Sequence, residues 1–395
     1  MRELFTHHAS RITHHEVVVS SSEQHRKLRV GVLFGGRSGE HEVSLTSAKG
    51  IMAALDKQKY EVVPIGITKS GQWLTGGDIH QRLLDAAAGH PVLGAGAKAE
   101  PTETPPVENA LALPISATGP LDVVFPVLHG PFGEDGTVQG FLELVGIPYV
   151  GAGVTASATG MDKAVCKDIF RAHGLPIVIH RVFLRRQWQN DPQAVIDECE
   201  AAMPYPMFVK PANLGSSVGV HKVKDRVELQ AGLDDAARYD RKLIVEQGLE
   251  AREIEVSVLG NDDPIASVPG EIIPSREFYS YAAKYIDNSS ELLIPAPLSQ
   301  EHTELIRQLA VMAFKALDCA GLARVDLLLE KATGEVFINE INTMPGFTPI
   351  SMYPKLWEAS GLSYSQLLDR LIELALERHA DKQRSETTFD VRQAE

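Results

Sequence analysis

The sequence predicts an α/β region at the N-terminus followed by α+β regions. Over residues 28–150, runs of branched apolar residues alternate with helical segments, which is typical of βαβ units and a parallel sheet. Residues 252–260 alternate polar and apolar side chains, as a half-exposed antiparallel strand does. Residues 325–341 hold two apolar runs around a polar, glycine-containing loop, which predicts a β-hairpin.

Size and composition narrow the class of protein. A chain of 395 residues fits two or three domains, and 44% hydrophobic with 23% charged residues is typical of globular proteins. A net charge of −14 without a basic stripe argues against a nucleic-acid binder. We expect no membrane span, because no apolar run reaches about 18 residues. Three widely spaced cysteines suggest neither a disulfide framework nor a zinc site, so we expect a reduced, cytoplasmic setting.

Order is expected to begin at residue 28, after an extension over residues 1–27. A strand over 28–34 leads through a glycine-rich loop into a helix over 44–55, an arrangement that opens binding crevices in α/β proteins. The loop lacks the dinucleotide-binding spacing G-x-G-x-x-G. Taken alone, Glu42 in this loop is more typical of a first-turn helix acid than of a ligand.

The rest of the N-terminal region follows the same alternation. The pattern predicts strands over 60–68, 121–128 and 147–150 and helices over 78–88 and 137–144. Residues 90–120, rich in Ala, Gly and Pro, are expected to form a surface insertion. The loop at 129–140, HGPFGEDGTVQG, carries glycines and acids between a strand and a helix, which suggests a shaped binding edge.

The sequence pattern in the middle of the chain predicts a loop that covers a bound phosphate. A strand over 207–211 contains Lys210 and is followed by the small residues of 212–220, whose backbone N–H groups can approach an anion closely. A helix over 161–173 carries Lys163, and a further strand covers 243–249. The aromatic segment 278–285 suggests a hinged lid, with surface packing on the body as the alternative.

The predicted hairpin carries four polar side chains on one face. A pivot near Thr333 places Asp326 opposite Glu340 and Arg324 opposite Asn342. Two opposed carboxylates repel each other unless a cation binds between them. Oxygen ligands without His or Cys suit Mg²⁺ or Mn²⁺. From the pattern alone, however, an exposed face with solvated charges is the more common outcome.

Two helices flank the hairpin. A strongly amphipathic helix is predicted over 301–318, and a last helix starts at Ser363 with Gln366 completing a capping box.

The order of these motifs closely resembles D-alanine–D-alanine ligases of the ATP-grasp superfamily, over roughly residues 29–378. The resemblance rests above all on HGPFGEDGTVQG at 129–140 and on the pair ARVD at 323–326 and NEINTMPG at 339–346. MDK at 161–163, VKPANLGSSVGV at 209–220, VEQGL at 245–249 and YAAKY at 281–285 add to it.

The resemblance implies the ATP-grasp fold with three domains and a homodimer. The domains would cover residues 28–150, 151–246 and 247–380, with a charged tail over 381–395. The implied reaction uses ATP and two Mg²⁺ (or Mn²⁺) ions to join two D-alanines through a D-alanyl phosphate, for peptidoglycan precursors.

The resemblance also implies roles for individual residues. Asp326, Glu340 and Asn342 would hold the metal ions, and Arg324 and the N–H of Gly346 would stabilise the oxyanion. The nucleotide would be bound by Lys163, Lys210, Ser217, Glu246, Gln247, Leu249, Glu253 and Lys284. Glu42 would bind the amine of the first D-alanine near His129, while Ser351 and Met352 would bind the second. Ser216 would link Glu42 to Tyr285 and close the lid.

Two other functions compete with this hypothesis. A D-alanine–D-lactate ligase usually carries a lid histidine where this chain has Tyr285, and the absence of that charge favours an amine acceptor. A non-catalytic ATP-binding regulator would be expected to have lost at least one of Arg324, Asp326, Glu340 and Asn342.

Overall fold

The computed structural model describes residues 26–87, 118–273, 291–348 and 350–386. These residues form three sheets, and helices share a hydrophobic core with each of them. All three cysteines are buried free thiols, in line with the predicted lack of a disulfide framework. No helix within the described ranges has the length and apolar character needed to cross a bilayer.

The N-terminal sheet has the strand order β3-β2-β1-β4. Its elements are β1 (Leu28–Gly35), α1 (His41–Ala54), β2 (Tyr60–Ile67), β3 (Trp73–Thr75), α2 (Ile79–Ala87), β4 (Val123–Val127) and α3 (Thr137–Leu144). Strands β2, β1 and β4 are parallel, which confirms the predicted α/β region, and β3 joins the edge antiparallel to β2.

One predicted strand of this region is wrong. The segment 147–150 forms only an isolated bridge between Val124 and Tyr149. The chain turns at Gly151, where φ is 100°, so pairing with β4 does not continue.

The second sheet is antiparallel and has the order β5-β8-β6-β7. The elements of this part of the chain are α4 (Val154–Met161), α5 (Lys163–Ala172), β5 (His180–Leu184), α6 (Arg185–Asn190), α7 (Pro192–Ala202), β6 (Met207–Pro211), β7 (His221–Val223), α8 (Arg226–Tyr239) and β8 (Lys242–Gln247). The buried apolar residues of helices α4 and α5 contribute to the core of the third sheet and not to that of the second. Ala156, Cys166 and Phe170 lie in the core of the third sheet, although the predicted boundary at 151 groups them with the second.

The third sheet is antiparallel and has the order β12-β11-β9-β13-β14, with β10 paired to β9. The elements are β9 (Ala251–Gly260), β10 (Ile265–Ala266), β11 (Gly270–Ile273), β12 (Glu291–Leu293), α9 (Gln300–Ala316), β13 (Gly321–Glu330), β14 (Val336–Asn342), α10 (Met352–Ala359) and α11 (Tyr364–Lys382). The capping box of Ser363 and Gln366 at the start of α11 is present as predicted.

Strand β9 is antiparallel as predicted, but it is not half-exposed. Residues 254–260 are all buried. The strand pairs with β13 on one side and with β10 and β11 on the other. Helix α9 shares a core with Ile254, Val256 and Val258, while the hydroxyl of Ser257 donates to a carbonyl of α10. Both faces are therefore covered, which the alternation of polar residues did not indicate.

Helix α11 ties the C-terminal end of the chain to the N-terminal sheet. Its apolar residues, including Leu367 and Leu371, pack with β1 and β4. Arg378, in the same helix, donates to the carbonyls of Tyr149 and Gly151, and its guanidinium lies 4.4 Å from the centre of the Tyr149 ring. These contacts fix the segment that leads from the first sheet to α4.

We predict that Arg378→Ala destabilises the protein by roughly 2–4 kcal/mol, because two carbonyls and an aromatic ring lose a charged partner. Urea unfolding measures the change. Arg384→Ala is the matched control, since Arg384 is 81% exposed and pairs with Asp381 at the surface. Equal stability of the two variants would show that Arg378 does not hold this junction.

Candidate active site

A cleft of about 1660 Å³ lies where the three sheets meet. Every predicted site residue that the structure describes lines it, from the N-terminal loops to the hairpin of β13 and β14. Lys284, Tyr285 and the proposed lid lie outside the described residues. Residues scattered over more than 300 positions of the sequence are thus gathered around one volume large enough for a nucleotide and small substrates.

The hairpin has the predicted register. Asp326 pairs with Glu340, and Arg324 pairs with Asn342. The register then shifts, so that Leu327 pairs with Ile338 and Asn339 is the extra residue of a β-bulge. A bulge bends its strand and redirects side chains. The bulge lies at the part of β14 where Asn339 and Glu340 line the cleft.

Arg324 balances the charge of this hairpin. Its Nε and Nη2 donate to the two carboxylate oxygens of Asp326, both at 2.7 Å. Its Nε also lies 3.0 Å from Oε2 of Glu255, and the amide of Asn342 donates to Asp326 at 3.0 Å. Burial alone would lower the pKa of Arg324, but Asp326 and Glu255 raise it well above its usual value. The guanidinium is therefore permanently charged.

Glu255 is a site residue that the sequence did not reveal. It pairs with Asp326 across β9 and β13 and is 5% exposed. Alternation along β9 suggested a solvated face for this carboxylate, and only the pairing of β9 with β13 brings it to Arg324. Glu255, Asp326 and Glu340 form a row of carboxylates across three strands.

The opposite wall of the cleft is cationic. The ammonium of Lys163 lies 3.5 Å from Glu340 and donates to the carbonyl of Leu214 at 2.9 Å. The ammonium of Lys210 lies 2.5 Å from Glu246, which pairs on its other side with Lys167 at 3.0 Å. Lys163 begins α5, and its position follows from the N-cap of that helix, where Asp162 accepts two backbone N–H bonds.

Glu246 is 2% exposed and fully ionised at neutral pH. Burial would raise its pKa, but the charges of Lys167 and Lys210 outweigh burial and lower the pKa to about 2. Lys167 was missed in the sequence, although it follows Lys163 by four positions and so lies on the same face of α5.

In the loop between β6 and β7, one predicted contact is wrong. Ser216 was expected to bond to Glu42, but its hydroxyl donates to Glu40. A Cβ at Gly130 or Gly215 would lie 2.7 or 2.8 Å from Oε2 of Glu40, so the backbone at both glycines approaches this carboxylate closely. Ser216 and Ser217 have φ of 52° and 57°, a left-handed conformation that is costly without glycine and recurs at functional loops.

Glu42 lies at the rim of the cleft instead. It is in the first turn of α1 and pairs with Lys69 at 2.5 Å, with its side chain 60% exposed. The position agrees with the interpretation of Glu42 as a first-turn helix acid. Helical geometry explains the difference, because Glu40 is the N-cap residue and points to a different side of the turn from Glu42.

His129 and Glu134 lie beside Glu40. Nδ1 of His129 is 3.0 Å from the carbonyl of Met344, so Nδ1 carries the proton. Burial lowers the pKa of His129, and the imidazole is neutral. Burial, with the charge of Glu40, raises the pKa of Glu134 well above its usual value, and one of its oxygens accepts the N–H of Gly130 at 2.7 Å. Neither Glu40 nor Glu134 is distinguished from the neighbouring acids by the sequence pattern alone.

The turn after the hairpin completes the site. The Oγ of Ser351 accepts the N–H of Thr348 at 3.0 Å, and a Cβ on Gly346 would lie 3.1 Å from it. Met352 lines the cleft and also packs in a small core with Ile272 and Leu356.

We predict that Glu246→Gln destabilises the fold by roughly 3–5 kcal/mol at pH 7, because two buried ammonium groups lose their counterion. The folded pKa of Glu246 lies below the ordinary 4.5, so its contribution is complete above about pH 5 and is lost as the pH falls toward 2. The difference in urea stability between wild type and variant should therefore stay constant down to about pH 5 and narrow between about pH 5 and pH 3. The exposed Glu358→Gln serves as control. A difference that stays constant with pH would contradict the ion-pair geometry.

The chain matches the sequence models of two domain families. They are described as "D-ala D-ala ligase N-terminus", over residues 29–152, and "D-ala D-ala ligase C-terminus", over residues 169–373. It is 54% identical to the D-alanine–D-alanine ligase of Natranaerobius thermophilus, over 92% of this chain and 99% of that protein. It is 53% identical to that of Heliobacterium modesticaldum, over 91% and 98%.

A solved structure agrees with these sequence matches. The D-alanine–D-alanine ligase of Coxiella burnetii superposes with a TM-score of 0.73 at 39% identity, covering 91% of this chain and 96% of that one. The predicted ATP-grasp fold is thereby confirmed. The chain belongs to the D-alanine–D-alanine ligase family.

Proposed function

We propose that this enzyme uses ATP to join two D-alanines into D-alanyl-D-alanine, for peptidoglycan precursors. The observation that supports this most directly is the cleft itself. It brings a pair of opposed carboxylates and a buried arginine together with two lysines from the facing wall. Phosphoryl transfer depends on such positioning and charge neutralisation, with little covalent chemistry from the protein.

The hairpin fits a magnesium site. Asp326, Glu340 and Asn342 offer oxygen ligands only, which suits Mg²⁺ or Mn²⁺. Within the described ranges, no three His, Cys, Asp or Glu side chains form a cluster arranged to hold a metal. Mg²⁺ prefers six ligands, so two carboxylates and an amide would leave coordination positions for nucleotide phosphates and water. Two bound ions would neutralise charge on the β- and γ-phosphates.

The cationic wall would bind the nucleotide. Lys163, Lys210 and the loop at Ser217 face the phosphates in this proposal. The adenine would meet Glu246, Gln247 and Leu249 at the end of β8, and the ribose would meet Glu253 on β9. Lys284, proposed for the γ-phosphate, and Tyr285 of the lid remain predictions.

We propose Glu40, rather than Glu42, as the partner for the amine of the first D-alanine. Glu40 is enclosed in the cleft by Gly130, Gly215 and Ser216, whereas Glu42 pairs with Lys69 at the rim. His129 suits the same substrate, because a neutral imidazole does not repel an ammonium group. The carboxylate of this D-alanine would attack the γ-phosphorus, releasing ADP and forming D-alanyl phosphate.

The second D-alanine would bind at the turn after the hairpin. Ser351 would receive its carboxylate and Met352 its methyl group. Its amine would attack the carbonyl carbon of D-alanyl phosphate, and the tetrahedral oxyanion would collapse with loss of phosphate. Arg324 and the N–H of Gly346 would stabilise that oxyanion, as preorganised donors do in other acyl transfers.

The two other proposed features concern the whole protein. We propose a homodimer and a cytoplasmic location, both from the family resemblance. A monomeric mass in solution would refute the dimer. The depsipeptide-forming alternative with D-lactate is not favoured, given the identities above 50% to D-alanine–D-alanine ligases.

The reaction is tested by mass analysis of products from D-alanine and ATP, with and without D-lactate. We expect ATP-dependent D-alanyl-D-alanine as the main product at neutral pH in both mixtures. A dominant D-alanyl-D-lactate product would overturn the amine preference. ATP binding without ADP release for any D-amino acid would instead support a regulator.

Glu40 and Glu42 form a matched pair for the first substrate site. We predict that Glu40→Gln lowers kcat/KM for D-alanine by about 100-fold or more, since the amine loses a buried carboxylate partner. Glu42→Gln should stay within about threefold of wild type, because an exposed pair contributes little. Steady-state kinetics with D-alanine at the first site distinguishes the two variants. A larger loss in Glu42→Gln than in Glu40→Gln would identify Glu42 as the partner of the amine.

A further inference from the structure

Lys167 is a buried charge that the proposed chemistry does not use. Its side chain is 1% exposed, and its ammonium lies 3.0 Å from Oε1 of Glu246 and donates to the carbonyl of Asn339 at 2.9 Å. The residue thus reaches from α5 to β8 in the second sheet and to the bulge of β14 in the third. A buried lysine is unfavourable unless it is paired, and here Glu246 is the partner of Lys167.

Lys210 pairs with the other oxygen of the same carboxylate. Its ammonium lies 2.5 Å from Oε2 of Glu246 and 3.5 Å from the side-chain oxygen of Asn339. Its side chain is 13% exposed and borders the cleft, whereas Lys167 is enclosed. Lys210 is therefore the cation that can turn toward a ligand, and Lys167 is the one that stays.

A nucleotide phosphate would draw Lys210 from Glu246. With a single lysine at this carboxylate, that movement would leave Glu246 ionised, buried and unpaired, which is strongly unfavourable. With Lys167 on its other oxygen, Glu246 keeps a counterion while Lys210 binds phosphate. The two lysines contact different oxygens of the carboxylate, so one can leave without disturbing the other.

We propose that Lys167 is a positioning residue that keeps Glu246 neutralised and so frees Lys210 to bind nucleotide phosphates. The inference rests on the proposed nucleotide site. It assigns Lys167 an effect on phosphate binding without contact to the nucleotide.

ADP binding in the presence of Mg²⁺, measured by calorimetry on the full chain, tests this role. Lys167→Met should weaken ADP binding by roughly 10- to 100-fold, because Lys210 then becomes the sole counterion of Glu246 and stays there. The exposed Lys315→Met, at the end of α9, is the control and should leave the affinity unchanged.

Rescue separates positioning from general damage. In Lys167→Met/Glu246→Gln the carboxylate charge is gone, while Gln keeps a carbonyl acceptor for adenine, so Lys210 is released. The double variant should recover ADP affinity to within about threefold of Glu246→Gln alone. A double variant no better than Lys167→Met would overturn the proposal, as would wild-type affinity in Lys167→Met.

The remaining outcomes are also decisive. If Lys167→Met does not fold, the comparison of the double variant with Glu246→Gln carries the test, and a loss beyond about tenfold there would contradict it. If the wild-type chain binds no ADP, the proposed nucleotide site fails together with the inference. If wild type binds and only the rescue fails, the inference alone is refuted.

Discussion

The opposition of Asp326 and Glu340 across the β13–β14 hairpin is the constraint on which the site depends. Two carboxylates paired on one face destabilise a sheet unless positive charge lies between or beside them. In the described structure that charge comes from Arg324, through a bidentate contact to Asp326, and from Lys163 beside Glu340. Arg324 and Lys163 therefore hold the opposed carboxylates in register, and the proposed metal ions would add positive charge at the same face.

The same principle extends around the cleft. Lys167 and Lys210 share Glu246, Glu255 supports Arg324, and Ser216 donates to Glu40. Each of these charges has a partner among the described residues, and losing that partner would be costly. Under the proposed function, binding of nucleotide and substrate would exchange partners among groups that are already positioned, which would lower the ordering required during the reaction.

Much of this site could be predicted from local sequence. The hairpin register follows from alternation about Thr333, and the capping box at Ser363 follows from residue spacing. The wrong or missing parts depend on distant pairing. Glu255 is buried because β9 lies between β13 and β11, and the Ser216 hydroxyl meets Glu40 because two loops far apart in sequence converge. Glu40 and Glu42 differ by two positions, and only the start of α1 decides which one points into the cleft.

We propose that the β13–β14 hairpin of this ligase-family chain holds the metal ions that accompany the nucleotide. Electron paramagnetic resonance of Mn²⁺ in the presence of ADP tests it directly, since bound Mn²⁺ loses the signal of the free ion. We expect the wild-type chain to bind Mn²⁺ with ADP and Asp326→Asn to bind it at least about tenfold more weakly, because one carboxylate ligand is lost. Equal Mn²⁺ affinity in the two proteins would show that Asp326 is not a metal ligand and would place the metal elsewhere.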